Sequence, residues 1–149
     1  MNIFFRKLLP LLLLLSVSDS ILSAGEYDDI DWADSYQEAL NLAKAENKNV
    51  MVLITSKRCK WCKKLKRKTL SKDSIINKLN SNFISVEVTR KRDDYPYKTL
   101  RARAVPTTYF LTPEGKTIMR PVIGYWNPSN YLSYLKDVDR RVKRLSSKN

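Results

Sequence analysis

The two cysteines of this chain are separated by two residues, and this pair constrains the fold more than any other feature. The motif Cys59-Lys60-Trp61-Cys62 follows an apolar run of strand length, residues 50–54, and precedes a helix-compatible run, residues 62–70. A helix N-terminus offers unpaired N–H groups and the positive end of the helix dipole to a thiolate. A Cys-x-x-Cys motif at a strand-to-helix junction is therefore typical of a redox site. The sequence predicts both sulfurs at the start of a helix that follows a buried strand.

The absence of histidine restricts the chemistry that the chain can perform. None of the 149 residues is His, which excludes Cys–His and Ser–His–Asp catalysis and most zinc sites. Two cysteines are also too few for an all-thiolate zinc site, which takes four. We predict no metal and no cofactor, so the chemistry is left to the thiols, the carboxylates or the lysines.

Residues 1–24 have the features of a signal peptide. Arg6 and Lys7 form a short positive region, residues 8–15 are rich in leucine, and Leu22-Ser23-Ala24 precedes Gly25 as a cleavage site. The apolar stretch is shorter than the roughly 20 residues of a membrane span, so membrane contact is expected only through this segment if it stays uncleaved. We predict export to the periplasm or out of the cell.

Export leaves a second interpretation of the cysteines, since structural disulfides are common in oxidising compartments. A bridge between Cys59 and Cys62 closes a very small loop, however, and a small loop removes little entropy from the unfolded chain. The spacing therefore favours a redox role over a structural one.

The mature chain is predicted to be one α/β domain, residues 34–149, after an acidic and loosely ordered lead-in, residues 25–33. Apolar periodicity predicts alternating helices and strands. Helices are expected at residues 35–47, 59–70, 74–79, 97–104 and from Pro128 onward, and strands at residues 50–54, 83–88, 105–111 and 117–123. The last two strands form a hairpin around a turn at residues 113–116. This order implies a mixed sheet of about four strands flanked by helices.

The chain resembles the thioredoxin superfamily over residues 34–145. The resemblance rests on an apolar strand running into the cysteine motif, on Val105-Pro106-Thr107 opening a later strand, and on the final hairpin and helix. Within the superfamily the chain is similar to exported thioredoxin-like proteins and to the C-terminal domain of the thiol:disulfide interchange family.

The resemblance implies a thioredoxin fold and a thiol:disulfide oxidoreductase that acts on exported proteins. Cys59 would be the exposed nucleophile, and Cys62, one turn further along the helix, would resolve the mixed disulfide. Pro106 would be cis and lie against the cysteines. The backbone of Val105 would bind an extended substrate peptide, in the segment that continues into Thr107. The partners implied are exported proteins with thiols or disulfides and a separate redox partner protein.

The chain departs from the family pattern in two ways. Thioredoxins usually carry a buried acid six residues before the first cysteine, where this chain has Leu53. Efficient resolution then requires another carboxylate, and Glu87 is a candidate. The residues between the cysteines are Lys60-Trp61 instead of the Gly-Pro of thioredoxin, so the redox potential of thioredoxin cannot be assigned to this protein. Trp61 itself is equally compatible with a substrate platform and with a core residue, and the helix pattern places it inward together with Leu65.

The charge of the chain is strongly positive, with 28 Lys and Arg against 15 Asp and Glu. Residues 57–68 contain eight basic side chains and no acid. Positive charge near Cys59 favours its thiolate, so we expect the pKa of this thiol below the free value of about 8.5. No nucleic-acid-binding motif accompanies the basic residues, and we predict no nucleic-acid partner.

Two alternatives to an enzyme remain open from the sequence. The two thiolates are soft ligands that suit a Cu(I) carrier. The basic surface also fits a thioredoxin-like adaptor or chaperone for acidic partners, in which the cysteines are incidental.

Overall fold

The computed structural model of the protein describes residues 26–147, and the predicted signal peptide lies outside the described residues. Within them, five strands form one sheet: β1 Trp32–Ala33, β2 Asn49–Thr55, β3 Phe83–Thr89, β4 Thr107–Leu111 and β5 Val122–Ile123. The strand order is β1-β3-β2-β4-β5. The β1–β3 and β3–β2 pairs are parallel, and the pairs on the other side of β2 are antiparallel. The predicted mixed sheet is thus confirmed, with one strand more than expected.

Four α-helices accompany the sheet in this part of the chain: α1 Tyr36–Glu46, α2 Lys60–Leu65, α3 Asp73–Asn82 and α4 Pro128–Ser146. A 3-10 turn, Tyr27–Asp29, precedes β1, and a π-helical turn, Lys66–Leu70, continues α2. Side-chain caps mark the start of α1 and of α4. Ser35 Oγ accepts the N–H of Glu38 at 3.1 Å, and Asn127 Oδ1 accepts the N–H of Asn130 at 2.9 Å. None of the helices in residues 26–147 combines the length and apolar character that a transmembrane span needs.

Strand β2 lies at the centre of the molecule, and its apolar sequence follows from that position. Successive side chains of a strand point to opposite faces of the sheet. Met51 and Leu53 join the core that α3 and α4 cover, whereas Val50, Val52 and Ile54 join the core under α1. All five side chains are 0% exposed. A strand covered on both faces requires a continuous apolar run instead of an alternating one.

The register of β2 and β4 brings two distant segments together. Ile54, near the end of β2, is paired with Thr107, the first residue of the antiparallel strand β4. The segment after β2, which carries Cys59, and the segment before β4 therefore lie at the same end of the sheet. The Val105–Pro106 peptide bond in the second segment is cis, as the family resemblance implied.

The lead-in is ordered from Tyr27 onward, and its prediction as a loose segment is wrong. Trp32 and Ala33 form β1 against Ser85 and Val86 of β3. Ile30 is only 2% exposed and belongs to the core under α4. The sequence did not indicate that Ile30 is buried, because a single isoleucine among acidic residues gives no periodic pattern.

The helix predicted at residues 97–104 is absent. The N–H of Leu100 donates to the carbonyl of Pro96 at 2.8 Å, which closes a single turn. The carbonyls that a longer helix would use accept from side chains instead: the Tyr109 hydroxyl donates to Arg101 O, and Arg90 Nη1 donates to Ala102 O. Tertiary donors thus replace the helical hydrogen bonds, and Leu100 stays buried.

The strand predicted at residues 117–123 is interrupted. Thr117 forms an isolated bridge with Leu111, and only Val122–Ile123 form a regular strand against β4. Pro121 has no N–H to donate to a ladder, and the carbonyl of Arg120 accepts a hydrogen bond from the Tyr134 hydroxyl of α4. The predicted hairpin is therefore present, with an interruption in its second strand.

Candidate active site

The two cysteines form a disulfide at the start of α2. Their Cα atoms are 5.2 Å apart. Cys59 is the N-cap of the helix, and its Sγ accepts the N–H of Cys62 at 3.0 Å. Cys59 is partly exposed, whereas Cys62 is 4% exposed. The arrangement matches the predicted one, with one accessible sulfur and one buried sulfur.

The loop before β4 lies against the accessible sulfur. The carbonyl oxygen of Val105 is 3.6 Å from Cys59 Sγ. Hydrogen bonds on both sides hold this loop: Gly124 N–H donates to Pro106 O at 2.8 Å, and the Thr107 hydroxyl donates to Ala104 O at 2.7 Å. The Thr107 side chain is buried, so it stabilises the loop from inside.

Trp61 points outward, and the prediction that it turns toward the core is wrong. Its side chain is 55% exposed, whereas Leu65 is 0% exposed. The Trp61 ring lies 6.1 Å from the ring of Tyr125, and Lys64 Nζ lies 4.8 Å and 4.4 Å from the two ring centroids. Cation–π contact with Lys64 keeps this aromatic pair together beside the cysteines.

A carboxylate shares a small cavity with the cysteines. Cys59, Cys62 and Glu87 line this cavity of about 230 Å³, together with Lys66. Lys66 Nζ lies 2.6 Å from both carboxylate oxygens of Glu87, and the Thr55 hydroxyl donates to Glu87 Oε1 at 2.8 Å. The acid that the sequence suggested as a replacement is thus present at the site, and an ion pair orients it.

Tyr27 completes the cluster from the N-terminal segment. Its hydroxyl donates to Glu87, and Lys66 Nζ lies 4.6 Å from its ring centroid. Burial, and then the hydrogen bond with Glu87, raise the pKa of Tyr27 well above its usual value. The tyrosine therefore remains a protonated donor throughout the ordinary pH range.

Sequence reasoning did not identify Tyr27, Thr55 or Lys66 as site residues. For Lys66 a signal existed, since it lies four residues after Cys62 and residues at that spacing share one helix face. Tyr27 and Thr55 gave no such signal, because their proximity to Glu87 depends on strand pairing. Among the residues described, no group of three or more His, Cys, Asp or Glu side chains is placed to bind a metal.

Comparisons with known proteins agree with this geometry. Residues 36–139 match the model of the thioredoxin-like domain family, and the chain belongs to this family. Spermatogenesis-associated protein 20 of Mus musculus is 30% identical over 117 residues, which cover 72% of this chain and 14% of the relative. The chain thus corresponds to a small part of that protein. Anterior gradient protein 3 of Xenopus tropicalis is 27% identical over 84% of this chain and 75% of the relative.

Solved structures show the same fold. A thioredoxin from Thermus thermophilus superposes with a TM-score of 0.64 at 26% identity, covering 74% of this chain and 87% of the other. The oxidised C-terminal domain of DsbD from Neisseria meningitidis gives a TM-score of 0.55 at 17% identity, covering 68% and 90%. The predicted fold class and family resemblance are confirmed. A thioredoxin-like fold with a bonded cysteine pair supports redox activity of the thiol–disulfide type.

Proposed function

We propose that the protein is a thiol:disulfide oxidoreductase that exchanges disulfides with exported protein substrates through Cys59 and Cys62. The observation that carries the proposal is the bonded pair at the start of α2, with Val105 O 3.6 Å from the accessible sulfur. An extended substrate peptide binds along the backbone of Val105 as an added strand. The exposed ring of Trp61 contacts its side chains, while buried Pro106 and Thr107 hold the loop in place.

In the reducing direction, Cys59 acts first. Its thiolate attacks one sulfur of the substrate disulfide, the substrate S–S bond breaks, and the other substrate sulfur leaves as a thiolate. A mixed disulfide between Cys59 and the substrate results. The Cys62 N–H that lies 3.0 Å from Cys59 Sγ stabilises the thiolate before the attack.

Cys62 then resolves the mixed disulfide. Its sulfur attacks Cys59 Sγ, the bond to the substrate breaks, and the substrate leaves as a second thiolate that takes a proton from water. The Cys62 thiol must lose its proton in this step, and Glu87 accepts it across the shared cavity. A general base acts either in direct contact or through one water, and the shared cavity has room for both routes. In the oxidising direction the same steps run in reverse.

The N-terminal segment supports action outside the cytoplasm, in the periplasm or as a secreted protein. A positive region, an apolar region and a cleavage site follow one another in residues 1–24. Cell fractionation of a tagged full chain tests this, together with determination of the N-terminus of the recovered protein. Recovery in the cytoplasm with residues 1–24 intact would contradict export.

Trapping of the mixed disulfide tests the exchange mechanism. Cys62→Ser should accumulate a covalent adduct with substrate proteins, because Cys59 still attacks and nothing resolves the bond. Cys59→Ser serves as the matched control and should form no such adduct. Diagonal gels with and without reductant reveal the adducts. Insulin reduction and equilibration against glutathione then measure the activity and the direction that the cysteine pair favours.

Equal amounts of adduct with Cys62→Ser and Cys59→Ser would overturn the proposal. So would the absence of adducts with both variants, if the parent protein also fails to reduce insulin.

A further inference from the structure

A second cavity lies beside the loop that carries Val105. Its volume is about 400 Å³, and its lining includes Lys91, Arg101 and Arg103 together with the rings of Tyr95 and Tyr97. Arg101 and Arg103 are exposed, and so is Lys91. Tyr95 is 6% exposed and forms an apolar wall, whereas Tyr97 is 65% exposed at the mouth.

This cavity is close to the reactive sulfur. Arg103 precedes Val105 by two residues, and two residues of extended chain span at most about 7 Å. The Val105 carbonyl is itself 3.6 Å from Cys59 Sγ. A substrate peptide bound in extended form along Val105 rises about 3.3 Å per residue, so a side chain about three residues from its cysteine reaches the cavity.

Most of the cations that line the cavity form no salt bridge in the described residues. The lining contains one acid, Asp93, whose carboxylate accepts the Thr89 N–H at 2.6 Å. One of the cations, Arg90, is engaged in structure, because its Nη1 donates to Ala102 O and Arg103 O. Of the four salt bridges found in residues 26–147, none involves Lys91, Arg101 or Arg103. These three cations are therefore available to an incoming anion.

We propose that this cavity is a substrate subsite for acidic side chains, and that the protein selects polypeptides with Asp or Glu about three residues from the reacting cysteine. The inference rests on the proposed function and names its substrate class. Arginine forks suit carboxylates in particular. Lys57, Arg58 and Lys60, which are exposed in the segment that holds Cys59, add further positive charge near the sulfur.

Matched disulfide peptides test the subsite. Three peptides carry Glu, Gln or Lys three residues on either side of one cysteine, which is joined to glutathione. The second-order rate constant with the reduced protein should be about tenfold higher for the Glu peptide than for the Lys peptide at low salt. The difference should shrink as ionic strength rises toward 0.5 M, where the Debye length is only about 4 Å.

Charge reversal tests whether the preference for the Glu peptide depends on Arg101 and Arg103. The double variant Arg101→Glu/Arg103→Glu should bring the Glu-to-Lys rate ratio to one or below. Lys44→Glu/Lys116→Glu is the matched control, since it makes the same change of net charge on exposed positions. Lys116 follows the turn after Leu111, which pairs with Val50 at the end of the sheet opposite Cys59. The control should keep the parent ratio, and circular dichroism verifies that both variants are folded.

Binding separates this inference from the proposed function. Calorimetry with the oxidised protein and peptides carrying Ser for Cys should show tighter binding of the Glu peptide in the absence of any exchange. Loss of exchange with this preference intact overturns the proposed function and leaves the subsite. Equal rates and equal binding for the three peptides overturn the subsite, and so does an equal effect of the control variant.

Discussion

Thioredoxins usually carry a buried acid at the position that Leu53 occupies on β2. In this protein a carboxylate, Glu87, lies on the neighbouring strand β3. Leu53 and Glu87 are register partners in β2 and β3, so their side chains lie next to each other on one face of the sheet. Glu87 lines the cavity that Cys62 also lines. In this protein the π-helical turn that continues α2 supplies the cation, Lys66, that pairs with the acid.

Replacement of Glu87 by Gln tests whether this carboxylate accepts the proton of Cys62. Glu87→Gln keeps the shape and removes the base, so resolution of the mixed disulfide should slow by about a hundredfold near neutral pH. The rate should recover as pH rises, because hydroxide deprotonates Cys62 directly. Stopped-flow measurement of both steps checks this, and the first attack by Cys59 should change much less.

Glu114→Gln is the control for this prediction, since Glu114 lies in the exposed turn between Leu111 and Thr117. An unaltered resolution rate and pH profile in Glu87→Gln would contradict the assignment of Glu87 as the base.

At the scale of elements, Tyr27 couples the N-terminal segment to the site. The Tyr27 hydroxyl donates to Glu87, and the 3-10 turn that holds Tyr27 leads directly to β1. The cluster therefore joins an edge of the sheet to the helix of the cysteines. The helix of the cysteines continues from Lys66 as a π-helical turn, a feature often found at functional sites.

The raised pKa of Tyr27 predicts a loss of stability in alkali. Its folded pKa lies above the unfolded value near 10, because burial disfavours the phenolate. The stability from this shift is fully present below pH 10 and declines as pH rises above it, by up to about 1.4 kcal/mol per pH unit. Tyr27→Phe should therefore lose less unfolding free energy above pH 10 than the parent protein. Urea unfolding from pH 9 to pH 11 measures it, and parallel curves for both proteins would contradict the prediction.

At the scale of the whole molecule, two cores share the central strand. One core, under α3 and α4, includes Ile30 from the segment before the sheet begins. The other lies under α1 and includes Leu100 from the loop that precedes the cis proline. Ile30, from before the predicted domain boundary at residue 34, and Leu100, from a loop within the domain, thus both contribute to the packing around β2.

Truncation of Ile30 should be costly for the whole domain. Ile30 is 2% exposed, so Ile30→Ala should leave a cavity and lower the free energy of unfolding by about 2–5 kcal/mol. Ile123→Ala makes the same chemical change where the side chain is 58% exposed, and it should cost under about 0.5 kcal/mol. Equilibrium denaturation compares them. Similar small losses for both would show that the N-terminal segment is dispensable.

The sequence by itself determined the buried strand, the cysteine pair at a helix start and the α/β class. These follow from local signals, since an unbroken apolar run needs cover on both faces and a Cys-x-x-Cys spacing spans one helical turn. Only the tertiary structure decided what surrounds the sulfurs. Val105 reaches Cys59, and Tyr27 and Lys66 reach Glu87, through strand register and packing between residues far apart in the chain. For the same reason the loop at residues 97–104 is not helical, because the side chains of Tyr109 in β4 and of Arg90, just after β3, donate hydrogen bonds to its carbonyls.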